Sequence, residues 1–170
     1  LISGAGIAGP TLAYWLAHYG FEPTLIERAP RLRTGGYIID FWGLGYEIAE
    51  RMGLMPELQR KGYRVKDIRF VDTRGRRITG FSADVFGRLT HERYMSLPRG
   101  ELASTIFGAI AERVDRLFGD EIVSLTQTAE SVRVSLAHGG EREFDLVVGG
   151  DGLHSKVRER VFGPQERFEK

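Results

Sequence analysis

Three glycines near the amino terminus have the spacing of a phosphate-binding turn. Residues 4–9 read Gly-Ala-Gly-Ile-Ala-Gly, which matches the pattern G-x-G-x-x-G. In that pattern the first glycine makes a sharp turn, the second brings backbone N–H groups close to a pyrophosphate, and the third lets a helix pack on a strand. A helix that starts near Ala8 points its partial positive charge at the phosphates. The candidate ligand-binding residues are therefore Gly4, Gly6, Ala8 and Gly9.

An acidic residue follows this turn at the distance that a dinucleotide site requires. Glu27 stands about 20 residues beyond the turn, at the end of a second apolar segment. A carboxylate at this place accepts hydrogen bonds from both hydroxyls of a ribose. An acid rather than an arginine favours a ribose without a 2′-phosphate. It does not distinguish NAD from FAD.

Both features lie in a predicted strand-helix-strand unit. Residues 1–4 predict a strand, residues 10–19 a helix and residues 22–27 a second strand. Two parallel strands need such a crossover connection. Trp15 and Tyr19, four residues apart on the helix, are expected to pack in the core.

The remainder of the chain predicts an antiparallel layer and further strands. Residues 67–82 predict a hairpin that turns at Arg74-Gly75. The other predicted elements are helices over 44–51 and 99–114, strands over 122–125, 132–136 and 144–149 with a turn at 138–140, and a short helix over 155–161 with Ser155 as its N-cap. Together these patterns predict an α/β fold, in which a Rossmann-like unit with a mainly parallel sheet is combined with an antiparallel β layer.

Composition favours a small-molecule partner. The chain carries 24 basic and 23 acidic side chains, and its formal charge of +1 does not favour nucleic acid or an anionic membrane. There is no cysteine, which is compatible with a reducing compartment, so we expect a cytoplasmic protein. The apolar start lacks the basic segment of a signal peptide. The histidines lack metal-ligand spacing, and no metal is predicted.

A second glycine turn lies near the carboxyl end. Residues 145–158 read Asp-Leu-Val-Val-Gly-Gly-Asp-Gly-Leu-His-Ser-Lys-Val-Arg, a buried strand followed by a Gly-Asp-Gly turn and a helix start. This segment resembles the Asp-Gly motif of the class A FAD-dependent monooxygenases, which have the para-hydroxybenzoate hydroxylase fold. Glu27-Arg28, Arg99 at the head of the long helix and the Gly-Gly segment 35–40 are similar to the same family. The Gly-Gly segment is most similar to the tetracycline-modifying branch.

The resemblance implies an enzyme that binds FAD, takes electrons from NADH or NADPH and uses dioxygen to hydroxylate a small, aromatic or polyketide-like substrate. It implies that the first glycine turn faces the FAD pyrophosphate and that Glu27 binds the adenosine ribose. It also implies that the turn at Asp151 meets the first glycine turn in space. The further cofactor-binding residues that it implies are Arg28 beside the adenosine, Arg99 near the pyrophosphate or ribityl chain, Val123 at the adenine through its backbone, and Asp151 and Arg158 as the residues that hold their turn.

Several questions stay open from the sequence. We expect residues 1–170 to form one FAD-binding domain that is cut at both ends, with residues 65–96 as an interleaved β segment on the substrate-domain side. No catalytic residue is assigned, and turnover by these residues alone is not expected. Asp40 is either a site residue near the flavin or a cap of the next helix. The alternatives for the function are an NAD-dependent dehydrogenase and a non-catalytic dinucleotide-binding protein.

Overall fold

The computed structural model describes residues 1–33, 35–110 and 112–168. Its contacts divide the chain into two compact units, of which the first comprises residues 1–33 and 106–170 and the second residues 34–105. The segment 65–96, which the sequence assigns to the substrate-domain side, lies inside the second unit. That assignment stays a prediction.

Helices are interspersed among the strands, except for five successive strands between the last two α-helices. The strands are β1 (Ile2–Ser3), β2 (Thr24–Glu27), β3 (Ile38–Trp42), β4 (Asp67–Val71), β5 (Arg77–Ser82), β6 (Tyr94–Pro98), β7 (Asp115–Phe118), β8 (Ile122–Gln127), β9 (Val132–Leu136), β10 (Gly140–Phe144) and β11 (Val148–Gly149). The helices are α1 (Ala8–His18), α2 (Gly43–Arg51), α3 (Met55–Lys61), α4 (Asp84–Leu89), α5 (Arg99–Gly108) and α6 (Lys156–Phe162).

The first unit is built on a parallel sheet with the strand order β11-β1-β2-β7. Ile2 pairs with Leu25 on one side and with Val148 on the other, so β1 is a central strand. Helix α1 connects β1 to β2, which confirms the predicted strand-helix-strand unit. The parallel sheet and the antiparallel pairs elsewhere confirm the α/β class. Because β1 and β11 are parallel neighbours, their carboxyl ends lie side by side.

Two cores cover the two faces of this sheet. Ile2 and Leu25 pack with Ala13 of α1, whereas Ile26 packs with Val134 of β9. Successive side chains of a strand point to opposite faces, and parallel sheets are usually covered on both. Each fully buried Ile or Leu side chain contributes about 1.5–3 kcal/mol. The strand ends that carry the two glycine turns are therefore held rigidly by the cores.

A three-stranded antiparallel sheet, β10-β9-β8, also belongs to the first unit. The side chain of Asp120, just before β8, accepts hydrogen bonds from the N–H groups of His138 (3.0 Å) and Gly139 (2.8 Å) in the turn between β9 and β10. The single strand predicted over 144–149 is wrong, because the chain forms β10 before it and the short β11 at its end. β10 reads Gly-Glu-Arg-Glu-Phe, and so polar a strand has no hydrophobic pattern.

The second unit contains two antiparallel strand pairs. β4 and β5 form the predicted hairpin, and the Asp72 carboxylate accepts hydrogen bonds at 2.9 Å from the N–H groups of Arg74 and Arg76 in its turn. β3 pairs with β6, and Asp40 lies directly opposite Ser96. The sequence did not predict β6, nor the helices α3 and α4.

The helix predicted over 99–114 is too long. Helix α5 ends at Gly108, and β7 follows it. Ala111, inside the predicted helix, lies outside the described residues. Ile110 is fully buried although it lies in a turn, so an apolar residue at helical spacing does not prove a helix here.

The aromatic face of α1 lies at the surface. Tyr19 is 71% exposed, so its predicted place in the core is wrong. Its ring stacks on the half-buried Trp15 with 6.2 Å between the centroids. Helix α1 buries its small residues Gly9 and Ala13 against the sheet instead, which leaves the large rings outside. Among the helices that the structure describes, none is both long and apolar enough to cross a membrane.

Candidate dinucleotide-binding site

The first glycine turn packs against the turn at Asp151. Gly4 has a φ of +105°, and a Cβ atom there would lie 2.6 Å from the carbonyl oxygen of Gly150 and 2.7 Å from Cα of Asp151. The N–H of Gly150 donates to the carbonyl of Ser3 at 2.8 Å. Only glycine fits this conformation and this space. The structure thus brings the two glycine turns together, as the resemblance requires.

The amino end of α1 is open to an anion. A Cβ atom on Gly9 would overlap the carbonyl oxygen of Gly4, so helix and strand meet without a side chain between them. The N-cap residue Ile7 offers no side-chain hydrogen bond, and the first turn holds no acidic residue. Ala8 is exposed, and Gly6 is half-buried in the bend before it. The N–H groups of Ala8 and Gly9 thus have no capping side chain, and the positive end of the helix dipole lies beside them, as pyrophosphate binding needs.

Glu27 is fixed beside this turn at the end of β2. Its Oε2 atom accepts a hydrogen bond from the N–H of Ala5, and Oε1 accepts one from the N–H of Ala29, each at 2.9 Å. Ala5 belongs to the glycine turn itself. A carboxylate has about four lone-pair sites, so both oxygens keep the capacity to accept from ribose hydroxyls. The adjacent Arg28 is exposed and makes no ion pair with the described residues.

Asp151 acts as the anchor of α6. Its Oδ1 atom accepts a hydrogen bond from the Ser155 hydroxyl at 2.5 Å, and Oδ2 accepts from the N–H groups of Lys156 at 2.8 Å and Val157 at 3.2 Å. Ser155 in turn accepts from the N–H of Arg158 at 3.0 Å, which confirms it as the N-cap. A helix start is thereby tied to the turn that touches Gly4.

The Arg158 side chain also contacts the turn that follows Asp151. Its Nη2 atom donates to the carbonyl of Leu153 at 2.8 Å and to Oε1 of Gln165 at 3.1 Å. The Nε atom is buried and makes no hydrogen bond with the described residues. The His154 ring approaches Gln165 at 3.3 Å. The contacts of Asp151 and Arg158 are thus those of residues that hold a turn.

Val123 lies at an irregularity of β8. The pairing of β8 with β9 shifts register between Ile122 and Ser124, so Val123 bulges out of the ladder and is 52% exposed. Its carbonyl accepts a hydrogen bond from Nε of Arg160 on α6 at 2.9 Å. A bulge re-aims the backbone of a strand, which is compatible with a backbone contact to a base.

Arg99 and Asp40 belong to the second unit. Arg99 is the first residue of α5, and its N–H donates to the carbonyl of Tyr37 at 3.0 Å. A Cβ atom on Gly36 would lie 3.7 Å from Cβ of Arg99, so the Gly-Gly segment runs close along the start of this helix. The contact of Arg99 with the cofactor stays a prediction.

Asp40 does not cap the following helix. The N-cap of α2 is Trp42, and no side chain bonds to the N–H groups there. The Asp40 carboxylate instead accepts hydrogen bonds from the hydroxyls of Tyr94 and Ser96. The sequence analysis missed both hydroxyl residues because it did not predict β6. Their alternation over 94–96 was the available signal.

Comparison with known proteins gives the family. A family model described as FAD binding domain matches residues 1–170, so the chain belongs to this family and its cofactor is FAD. A flavin-dependent monooxygenase of Legionella longbeachae is 34% identical over 166 residues, which are 98% of this chain and 42% of that enzyme. An uncharacterised protein of Mycobacterium tuberculosis is 40% identical over 171 residues, which are 100% of this chain and 46% of that protein. These matches confirm the resemblance to class A FAD-dependent monooxygenases.

Solved structures agree with the family. The crystal structure of tetracycline destructase Tet(55) has a TM-score of 0.81 and 34% identity, over 95% of this chain and 40% of that one. The FAD complex of HpxO from Klebsiella pneumoniae, a variant protein, has a TM-score of 0.78 and 25% identity, over 95% of this chain and 42% of that one. The chain spans less than half the length of the curated relatives it matches.

The residues of the first unit fit FAD. The amino end of α1 offers N–H donors without a capping side chain, and the glycines leave room for a phosphate to approach them. Glu27 adds a fixed acceptor for the ribose on the same side of the turn. Among the described residues, no three or more His, Asp or Glu side chains are grouped so that they could hold a metal ion.

Proposed function

We propose that the protein is an FAD-dependent monooxygenase, which takes electrons from NADH or NADPH and uses dioxygen to hydroxylate a small, aromatic or polyketide-like substrate. The observation that carries this proposal is the contact of the Gly4 turn with the turn at Asp151. A simple NAD-dependent dehydrogenase shares the first turn but does not need the second. Relatives named as flavin-dependent monooxygenases support the proposed reaction, and Tet(55), named as a tetracycline destructase, supports a polyketide-like substrate.

The chain's own residues bind and orient the cofactor. The proposed phosphate contacts come from the N–H groups at the start of α1, and Glu27 accepts from the adenosine ribose. We assign Arg28 to the adenosine side and the Val123 backbone to the adenine. Asp151 and Arg158 keep the second turn against Gly4. When bound, FAD supplies the redox chemistry with the nicotinamide donor and dioxygen, for which protein side chains have no equivalent.

We propose no residue of the first unit for proton transfer or for substrate binding. In the first unit the Ser155 hydroxyl does donate to the Asp151 carboxylate, but both groups also accept hydrogen bonds from the N–H groups at the start of α6, which is a structural role. His154 contacts Gln165 rather than an acid. We therefore assign no catalytic residue within this chain. We place the enzyme in the cytoplasm, because a chain without cysteine suits a reducing compartment.

The cofactor gives the most direct test. We expect the purified full-length protein to be yellow, with a visible flavin band, and to release FAD on heat denaturation. We expect NADH or NADPH to bleach this band, faster when a substrate is present. The proposal would be overturned by a purified protein that is colourless and binds NAD but no FAD. Tetracycline and simple phenols are suitable first substrates for a screen of oxygen consumption.

A further inference from the structure

The second unit contains a small cavity. Its volume is about 250 Å³, and residues of α2, α3 and β6 line it together with the segment 62–64 that follows α3. All of these residues belong to the second unit. Pockets for drug-sized ligands usually measure about 300–1,000 Å³, so this cavity has room for a smaller molecule with a single ring.

The backbone of the second unit holds the walls of this cavity in place. Tyr63 forms an antiparallel bridge with Ser96 of β6, in which each N–H donates to the other residue's carbonyl at 2.8 Å. A Cβ atom on Gly62 would lie 2.9 Å from Sδ of Met95, so a residue without a side chain lets the chain pass this close to β6. The cavity is therefore formed by the fold itself and does not need a ligand to shape it.

One wall carries a buried tyrosine whose hydroxyl has no partner. Tyr46 of α2 lines the cavity and is 6% exposed, and its ring packs against Phe41 with 5.8 Å between the centroids. The Tyr46 hydroxyl makes no hydrogen bond with the described residues. Buried polar groups in folded proteins almost always have a hydrogen-bond partner, so an unpartnered one needs an explanation. A ligand in the cavity that Tyr46 lines is able to supply this partner.

The other walls combine aromatic surface with polar groups. Met95 is 5% exposed, whereas Tyr63 is 48% exposed. A thioether and a tyrosine ring both make favourable contacts with the ring of an aromatic ligand. Gln59 of α3 is exposed, and its amide makes no hydrogen bond with the described residues. Hydroxyl and amide groups each donate and accept, which suits a ligand that carries a hydroxyl group.

The cation on the cavity wall is already paired. Arg64 lines the cavity, and its Nη1 atom pairs with the Glu92 carboxylate while Nη2 donates to the Glu92 carbonyl at 2.9 Å. Glu92 and the preceding His91 have φ values of 65° and 51°, a left-handed conformation that is uncommon outside glycine. This turn presents both Glu92 acceptors to one guanidinium. Arg64 is therefore held by Glu92 and is not free to bind an anionic ligand.

The charges beside Tyr46 are paired as well. The Arg93 guanidinium lies over the Tyr46 ring, 5.7 Å from its centroid. It pairs with Glu47 at 3.6 Å and with Glu50, both on α2. Together with the pair on the cavity wall, three carboxylates face two guanidinium groups. An anion would have to displace a carboxylate from its arginine, whereas an uncharged ligand leaves these pairs intact.

We propose that this cavity binds an uncharged aromatic alcohol with a single ring. The Tyr46 hydroxyl pairs with the hydroxyl group of the ligand, and the ring of the ligand lies against Tyr63 and Met95. The site goes beyond the proposed function, because it needs only residues of the second unit and no contact with FAD. A cavity that holds only water makes a different prediction.

A charge series of probes tests the ligand class on the full-length protein. 4-Bromobenzyl alcohol is uncharged, whereas 4-bromobenzoate is an anion and 4-bromobenzylamine a cation of nearly the same shape. We expect the alcohol to bind at least about tenfold more tightly than either charged probe, since a charged probe loses hydration without gaining a free partner. Titration followed by ligand-observed NMR measures the Kd of each probe.

Two substitutions on α3 locate the site. Gln59→Trp places a large ring at the cavity wall, and we expect it to weaken binding of the alcohol about tenfold or more. Arg60→Trp is the matched control, because Arg60 is the neighbouring exposed residue and does not line the cavity. We expect the control to bind the alcohol within about a factor of two of the wild type. Only the binding that Gln59→Trp removes is assigned to the cavity.

Tyr46→Phe removes only the unpartnered hydroxyl. We expect it to weaken binding of the alcohol about threefold to tenfold, as for one lost hydrogen bond. Because this hydroxyl has no partner in the fold, we expect the variant to unfold at the same urea concentration as the wild type. Tyr37→Phe is the control, since Tyr37 is an exposed tyrosine of the same unit that does not line the cavity. Tyr46→Phe decides the matter if Gln59→Trp does not fold.

The bromine atom gives the position of the ligand directly. In crystals of the full-length protein grown with the alcohol, we expect anomalous scattering to place bromine in the cavity. Bromine found only elsewhere, equal Kd values for Gln59→Trp and Arg60→Trp, or charged probes that bind as tightly as the alcohol would each overturn the inference. Bromine in the cavity with an unchanged solution Kd in Gln59→Trp would mean binding at crystal concentration only, and would overturn it too. A protein that binds no FAD overturns the proposed function and leaves this inference standing, since none of these measurements involves the flavin.

Discussion

Helix α1 packs closely on the end of β1 because Gly9 has no Cβ atom. In Gly9→Ala the new Cβ overlaps the carbonyl oxygen of Gly4, so we expect the variant to lose about 1–3 kcal/mol of unfolding free energy or not to fold. Gly108→Ala is the control, because Gly108 is also helical but has open space around it. We expect that change to be neutral or to stabilise by up to about 1 kcal/mol. Urea denaturation measures both, and equal midpoints for Gly9→Ala and wild type would contradict the described corner.

The charge of Glu27 is expected to matter more than its shape. Glu27→Gln keeps the size of the side chain, but its amide group replaces an acceptor that now faces the N–H of Ala5 or Ala29. We expect the Kd for FAD to rise about tenfold or more, as for loss of a charge-assisted hydrogen bond. Glu22→Gln, an exposed residue before the same strand, is the control and is expected to bind normally. Unchanged binding by Glu27→Gln would remove Glu27 from the site.

The position of a single residue could be predicted where it belongs to a local sequence motif. It could not be predicted where it depends on contacts between distant parts of the chain. The spacing of Gly4, Gly9 and Glu27 was sufficient to place them at one corner, since local geometry determines a strand-turn-helix. Tyr94 and Ser96 were not predictable in the same way. They meet Asp40 across a strand pair that joins residues more than fifty positions apart, and the alternation over 94–97 indicates a strand but not which residue lies opposite it.

Among the elements, the turn between β9 and β10 depends on one buried carboxylate. Burial by itself raises the pKa of Asp120, but hydrogen bonds from the N–H groups of His138, Glu121 and Gly139 outweigh it and hold the pKa below its usual value. We expect Asp120→Asn to lose about 1–3 kcal/mol of unfolding free energy at pH 7. Asp84→Asn, at an exposed helix start, is the control and is expected to lose less than about 1 kcal/mol.

The pH dependence of this loss has a definite sign. A lowered folded-state pKa stabilises the protein above the unfolded pKa of about 3.9, and that stabilisation disappears as the pH falls through the folded value. The difference between wild type and Asp120→Asn is therefore expected to be constant from about pH 7 to pH 5 and to shrink below about pH 4. Urea denaturation at several pH values measures it. A difference that grows on acidification would contradict the assigned role.

Elements were predicted well where hydrophobic periodicity was strong. The first strand-helix-strand unit, the hairpin around Arg74 and the N-cap Ser155 are confirmed. The helix α5 was predicted too long because Ile110 continues its apolar spacing after the helix has ended. The polar strand β10 was missed for the opposite reason. Tertiary packing overrides local pattern in both cases.

At the scale of the whole molecule, the cofactor is expected to act as a stabiliser. A ligand that binds only the folded state adds about 2.7 kcal/mol at a hundred times its Kd, so FAD is expected to raise the unfolding temperature. ADP carries the adenosine and pyrophosphate groups that the first unit is proposed to bind, and a smaller rise is expected with it. Riboflavin lacks both groups and is expected to give none. Differential scanning fluorimetry measures all three, and a rise with riboflavin alone would contradict this assignment.

The pairing of β1 with β11 has a consequence for biosynthesis. Gly4 leaves the ribosome first, yet the backbone that closes its corner belongs to Gly150, and the two stretches are joined by a hydrogen bond at 2.8 Å. Contacts between such distant residues form late, because the loop between them must first be closed. The nascent chain therefore has no complete corner at Gly4 until the segment around Gly150 has been translated, and we expect no binding of the flavin pyrophosphate at the first turn before that point.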